Sequence, residues 1–276
     1  MKKLIWLTLI ILPAFTFSAG LDYYPEDFQK SIEQDQLRDE ELKRALQKVL
    51  TEVHQKRINA PDTLGCNRSE KGQCYSQISL GYRGAREVLF GKLHLERDAK
   101  GYYVKDVYCN NVYREDSPNI GNLGPKQIPN QDVLNCEHTW PQSKFFGGKQ
   151  ASVQKADLHH LFPTESKANS VRGNYEFRDV EKTDARSLCS ASKSDSKHNF
   201  EPPDEHKGNV ARALFYFATR YGGSISRDQE QTLKRWHLLD PVDGEERERN
   251  EGIYELQNNR NPFIDFPELV EKISNF

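Results

Sequence analysis

The stretch Asn135-Cys136-Glu137-His138-Thr139-Trp140-Pro141, followed by Asp157-Leu158-His159-His160 and then Asn169, decides the reading of this chain. Glu137 and His138 sit in a segment that reads as a strand, and Gly147-Gly148 marks a turn. The segment from Asp157 to Pro163 returns as a second strand. Thr164, whose hydroxyl is the expected cap, opens a helix that carries Asn169 and stops at Gly173. The order is strand, turn, strand, helix. Glu137 and Asn169 supply one anionic and one neutral oxygen, donors that suit a hard divalent cation keeping several of its waters. His138 is a proton acceptor with an ordinary pKa of about 6.5. One metal and one base are the minimum for hydrolysing a phosphodiester. Strand geometry resists this, because neighbouring residues point to opposite faces. Glu137 and His138 serve one centre only if the strand bends, bulges or ends there, and Pro141 makes such an irregularity credible.

Outward from this stretch, residues 1–20 read as a secretory leader: Lys2 and Lys3, an apolar run from Leu4 to Phe17, then Ser18, Ala19 and Gly20, with cleavage after Ser18 or Gly20. The expected product is an exported, periplasmic or extracellular chain without a membrane anchor. Thirty-nine basic side chains against 41 acidic give −2, and loss of Lys2 and Lys3 leaves 37 against 41, or −4. Polyanion contact must therefore come from a local patch. Five cysteines without a CxxC argue for structural disulfides over a thiolate zinc site. Cys66 and Cys74 flank a short polar segment and make a natural loop bridge; Cys109, Cys136 and Cys189 cannot be paired from sequence.

The length suits one domain over 21–276, with 21–60 as a helical appendage packed on it. Leu42, Ala45, Leu46, Val49, Leu50 and Val53 recur at helical spacing, and Tyr75 to Tyr113 reads as strand-rich. Ser117 to Asn130 and Lys182 to Asn199 read as loops. Asn209 to Tyr221 is the clearest helix, stopped by Gly222-Gly223; Gln229–Leu238 and Pro267–Ile273 are further helices. Trp140, Trp236 and the Phe215 stripe read as core. The run from Asn258 to Phe263 is either a polar site or a buried hydrogen-bonded turn.

Taken together, the Asn135–Gln142, Asp157–Pro163 and Asn169–Asn174 blocks resemble the bacterial endonuclease I family of exported nucleases with a ββα-metal (His-Me finger) site. The likeness continues through Glu201–Tyr221, Asp240-Pro241-Val242, Glu248-Arg249-Asn250 and Asn258–Asp265, spanning roughly Tyr75 to Glu268 in order. The resemblance implies an α+β fold with a ββα-metal core surrounded by helices. It further implies His138 as general base, Glu137 and Asn169 as metal ligands, and Mg²⁺ as cofactor, with Ca²⁺ or Mn²⁺ as substitutes. The implied substrate is DNA, and RNA as well, held through its phosphate backbone by a monomer and cleaved with little sequence preference to leave 5′-phosphates. His160 stands where many members have Asn, and a short turn with Lys149 replaces the longer insert from which some members send an Arg to the leaving phosphate.

Weaker candidates for phosphate contact are Lys149, Arg172 on the helix of Asn169, and Lys207 and Arg212 at the start of the Asn209 helix, where backbone amides also favour anions. For Arg172 the alternative is an ordinary surface ion pair, and for Lys207 and Arg212 a purely solvated role. His159 and His160 read as supporting residues. A rival reading joins them with His138 as a zinc hydrolase, although no HExxH spacing is present. A catalytically inactive nucleic-acid-binding module is the other rival.

Overall fold

The computed structural model describes residues 21–69, 71–147, 150–183 and 189–276. The expected leader and Lys149 lie outside the described residues. Helices α1 (Glu26–Glu33) and α2 (Asp39–Thr51) lead into an antiparallel sheet of β1 (His54–Arg57), β2 (Ala60–Leu64) and β3 (Gln73–Tyr75). The apolar stripe expected on α2 is buried at Leu42, Leu46, Val49 and Leu50, whereas Val53 is exposed beyond the helix end. Residues 21–60 share the larger core cluster with Phe215, Phe217 and Trp236, and they already include β1.

The region expected to be strand-rich is one third helical. α3 (Gly81–Val88) runs into a π-helical turn at Leu89–Leu93 before β4 (Glu96–Asp98), β5 (Gly101–Lys105) and β6 (Val112–Arg114) form a second antiparallel sheet. Ala85, Leu89 and Phe90 share one buried side, which is helical spacing. The glycines that resemble strand punctuation serve other ends. Gly91, for example, lies where a Cβ would come within 2.5 Å of the Lys126 amide nitrogen.

β7 (Leu134–His138) then pairs antiparallel with β8 (Leu161–Glu165), with α4 (Gln150–Lys155) in the connection where only a turn was expected. The register runs unbroken from Leu134↔Glu165 to His138↔Leu161. α5 (Ser166–Arg172) follows β8 directly, so the expected strand–strand–helix unit is present. Its cap is the Glu165 side chain, which accepts from the Ala168 amide at 2.6 Å, and not Thr164. Gly173 ends it at φ +51°, a conformation glycine adopts without penalty.

A third small sheet contains β9 (Glu176–Phe177), β10 (Lys193–Ser194) and β11 (Asn199–Glu201). α6 (Lys207–Tyr221), α7 (Arg227–Leu239), α8 (Gly244–Gln257) and α9 (Pro262–Asp265) complete the chain, with a 3₁₀ turn at Pro267–Lys272. α6 is buried along almost its whole length and is the central element of the larger cluster. A second cluster, including Leu89, Phe90, Val104, Leu134, Leu158 and Leu161, packs the hairpin from the other direction. The architecture is mixed α+β: small sheets among helices, with the β7–β8–α5 unit fixed between two apolar clusters.

Candidate active site

With no bulge in β7, Glu137 and His138 do point to opposite faces, and the hairpin ladder closes just beyond His138 at Thr139, whose amide bonds the His160 carbonyl at 3.0 Å. Of the three escapes from the strand objection, only the strand's ending is available. Glu137 is buried at 2 % exposure, where its Oε1 accepts from the Tyr108 hydroxyl at 2.8 Å and meets Arg172 Nη1 at 2.9 Å. Burial pushes this carboxyl above its usual range, opposed by the Arg172 guanidinium and the Tyr108 hydrogen bond. Asn169 lies on α5 one turn before Arg172. Its Nδ2 donates to the Cys136 carbonyl at 3.5 Å, which leaves Oδ1 without a partner among the described residues.

His138 is fixed at both ring nitrogens. Nε2 lies 3.1 Å from the Lys155 carbonyl, and a carbonyl only accepts, so Nε2 carries the proton. Nδ1 is therefore the lone-pair nitrogen and receives a bond from Gln142 Nε2 at 3.3 Å. Burial drives the imidazole pKa down to about 3, with the nearby His160 acting in the same direction, so the ring is neutral at physiological pH. Beside it stands the ring of Tyr82, 5.5 Å away centroid to centroid. That ring carries two cations, Lys155 Nζ at 4.5 Å and the Arg86 guanidinium at 5.7 Å. Neither is paired to an acid among the described residues, and Arg86 Nε is buried without an acceptor.

The other expected residues fall elsewhere. Arg172 is not a surface cation: it is 2 % exposed and donates to Glu137 and to the carbonyls of His138 and Thr139, at 2.9 and 2.6 Å. Lys207 is held by Glu201 at 2.6 Å and Asp204 at 2.7 Å. Arg212 is held by Glu246 at 2.6 Å and by the Asp240 carbonyl at 2.9 Å. The N-terminus of α6, expected to favour an anion, is satisfied from within by Asp240, whose carboxylate accepts from Gly208 N at 2.7 Å. Arg172, Lys207 and Arg212 are thus interior partners of the protein's own carboxylates, a role that sequence cannot separate from a surface one.

His159 and His160 do not converge with His138 as metal donors. His159 Nε2 bonds the Asn259 carbonyl at 3.1 Å and His160 Nε2 the Gln154 carbonyl at 2.7 Å. Among the described residues no group of three or more His, Cys, Asp and Glu side chains is arranged to hold a metal, which counts against the zinc reading. The two histidines instead stiffen the return into β8. Asp157, at its start, is buried, which raises its pKa, yet His159, Arg220 and the Gln257 amide hold it down to about 2. Tyr216 and Tyr221 each donate to it at 2.8 Å. The Asn258–Phe263 run is the hydrogen-bonded turn: Asn259, Arg260 and Asn261 are buried, and Asn261 caps α9.

Cys66 and Cys74 are bridged, and Cys109 pairs with Cys189, leaving Cys136 buried and free with its thiol pushed up to about 12 by burial. The second bridge fixes the chain next to Tyr108, whose carbonyl also accepts from Ser192 at 2.6 Å. It thereby steadies the hydroxyl that holds Glu137. Tyr82, Arg86, Tyr108 and Lys155 were missed from sequence because they reach the site through tertiary packing, and Gln142 was missed although it lies four residues after His138. The only local signal was the pair of arginines three apart in Arg83-Gly84-Ala85-Arg86.

The profile of the Endonuclease I family matches residues 74–268. An extracellular ribonuclease of Bacillus subtilis (strain 168) is 37% identical over 181 residues, 59% of this chain and 59% of the relative. One from Bacillus amyloliquefaciens is 40% identical over 157 residues, 50% of this chain and 53% of the relative. An extracellular deoxyribonuclease of Aeromonas hydrophila is 29% identical over 202 residues, 67% of this chain and 87% of the relative. The chain spans a little over half the length of the two Bacillus relatives. Export of the relatives is in keeping with two disulfides here and with no helix among the described residues long and apolar enough to cross a membrane. On the family profile, which covers well over half of the sequence, the chain belongs to the Endonuclease I family.

Proposed function

We propose that the protein is an exported, divalent-metal-dependent endonuclease that hydrolyses phosphodiesters of DNA and RNA with little sequence preference. The observation that carries this reading is the state of His138: a neutral ring, proton on Nε2, lone pair on Nδ1, beside two cations with no acid partner among the described residues. A ring held in one tautomer by a backbone carbonyl is prepared to take a proton at the other nitrogen, from a water that replaces the Gln142 amide there. As it does so, the Lys155 carbonyl supports the positive charge through Nε2–H. Arg86 and Lys155 would draw the substrate's phosphates to that side of the hairpin.

Glu137 and Asn169 fit the metal by chemistry: a carboxylate and an amide oxygen on neighbouring elements, the latter unclaimed by any partner among the described residues. A Mg²⁺ ion there, or Ca²⁺ or Mn²⁺ in its place, would stabilise the charge that builds on the phosphoryl and leaving oxygens. Tyr108 and Arg172 orient Glu137, and the Asn169–Cys136 bond ties α5 to β7. Backbone contact without base reading accounts for low sequence preference, and dual DNA and RNA use follows the names of the relatives. Incubation of supercoiled plasmid and of structured RNA with Mg²⁺ or EDTA tests the proposal. Nicking and fragmentation of both, abolished by EDTA and leaving 5′-phosphates, is expected; intact substrates under every divalent ion would overturn it.

A further inference from the structure

The His138 ring is 5 % exposed. The Lys155 carbonyl closes its Nε2 side, and the rings of Tyr82, Phe145 and His160 stand 5.5, 5.9 and 5.5 Å away, centroid to centroid. Nδ1 is closed differently. Its partner, Gln142, is an exposed residue whose amide Nε2 donates to it at 3.3 Å. Gln142 opens the 3₁₀ turn Gln142–Lys144, and the backbone of that turn is anchored. The Lys144 amide bonds the Pro141 carbonyl at 2.9 Å, and the Trp140 indole donates to the Lys144 carbonyl at 3.1 Å. Trp140 in turn stacks on Phe217 at 4.8 Å. The Gln142 side chain has no such anchor: its amide bonds Nδ1 and nothing else among the described residues, with Oε1 unpartnered. Rotation of an exposed side chain is fast and needs no backbone change.

A water that yields its proton to Nδ1 must stand about 2.6–3.2 Å from that nitrogen. The Gln142 amide nitrogen already occupies that place, and the imidazole has one lone pair to share. Amide and water therefore exclude one another. The Lys155 carbonyl fixes the tautomer from the opposite side of the ring, so the Gln142 bond is not needed to hold the base in position. We propose that Gln142 is a cover on the base, competing with the nucleophilic water and keeping hydrolysis below the rate the site can reach. The kinetic part rests on the nuclease reading; the cover itself does not. One neutral hydrogen bond favours the covered form roughly 2- to 10-fold. Reactivity at Nδ1 is reduced by the fraction left uncovered.

Two variants test this. Gln142→Ala removes the side chain, and Gln142→Met keeps its length without a donor; the position is exposed, so neither disturbs the core. On a DNA oligonucleotide with saturating Mg²⁺, kcat/KM should rise roughly 2- to 10-fold in both. A gain carried by KM means that the strand binds only the uncovered form, and a gain carried by kcat means that it binds the covered form as well; both support the cover. The second readout needs neither metal nor substrate. In EDTA, acylation of His138 by diethyl pyrocarbonate, followed by peptide mass spectrometry, should run roughly 2- to 10-fold faster in both variants. An unchanged or lower kcat/KM in active variants, wild-type behaviour of Gln142→Met, or equal acylation rates would overturn the proposal. Faster acylation in proteins that cut no nucleic acid, the wild type included, would sink the functional reading and leave the cover intact.

Discussion

Lowering the pH from 7.5 to 5 should destabilise this protein through its buried histidines. His159 and His160 are buried, each with Nε2 on a backbone carbonyl and Nδ1 enclosed without a partner. Protonation would create a charged, unsatisfied donor inside the core. Burial accordingly drives their pKa values down to about 3 and about 4, with Asp157 opposing it only in part. In the unfolded chain both titrate at about 6.5. Between those values the unfolded state binds more protons, so the stability is complete above about 6.5 and is lost as pH falls. At pH 5 the unfolded state gains about 2 kcal/mol per histidine, or about 4 kcal/mol for the pair. Any folded pKa near or below 4 gives nearly the same figure. Against a total of roughly 5–15 kcal/mol, that is a large loss. Urea unfolding followed by tryptophan fluorescence should show the midpoint dropping by more than about 1 M between pH 7.5 and pH 5. A midpoint that stays level until about pH 4 would refute the reasoning, because carboxylates alone would then govern acid stability.

Three further outcomes follow from the site and its supports. Arg86→Ala and Lys155→Ala should each raise KM several-fold and reduce the salt slope of DNA binding by about 1, measured by fluorescence anisotropy across a salt series. Tyr108→Phe removes one of the hydrogen bonds on Glu137 and should weaken Mg²⁺ activation about 10- to 100-fold, read from the metal dependence of cleavage. In the chain-entropy picture, the bridge closing a separation of 80 contributes about 4.5 kcal/mol and the one closing 8 about 2.5 kcal/mol, so the Cys109→Ser/Cys189→Ser protein should melt below Cys66→Ser/Cys74→Ser.

The strand–strand–helix unit was legible because its chemistry-bearing residues are nearly contiguous and Gly173 marks the helix end. α6 was legible because an apolar run stops at Gly222, which takes φ +73°. The misses have physical causes. Gly81, Gly84 and Gly91 imitate the breaks between strands, and that hid α3. α8 buries Glu246, Arg249, Asn250 and Gln257, so its interior face carries almost no apolar periodicity. The Asp243 cap, which accepts from the Glu246 amide at 2.8 Å, was the available signal. Charge gave the wrong impression of Arg172, Lys207 and Arg212, because whether a cation faces water or a buried carboxylate is decided by residues far along the chain. The same distance in sequence makes Tyr108 and Arg86 illegible as site residues from the sequence alone.

The central claim is that His138 acts as the base on water and not as a binding residue. Single-turnover cleavage of a labelled duplex by His138→Ala, with Mg²⁺ and DNA affinities measured on the same preparation, tests it most directly. The account predicts a rate loss of roughly 10²–10⁴-fold with both affinities within about twofold of the wild type. Near-wild-type cleavage by the variant, or a loss of rate fully matched by lost metal or DNA binding, would contradict it.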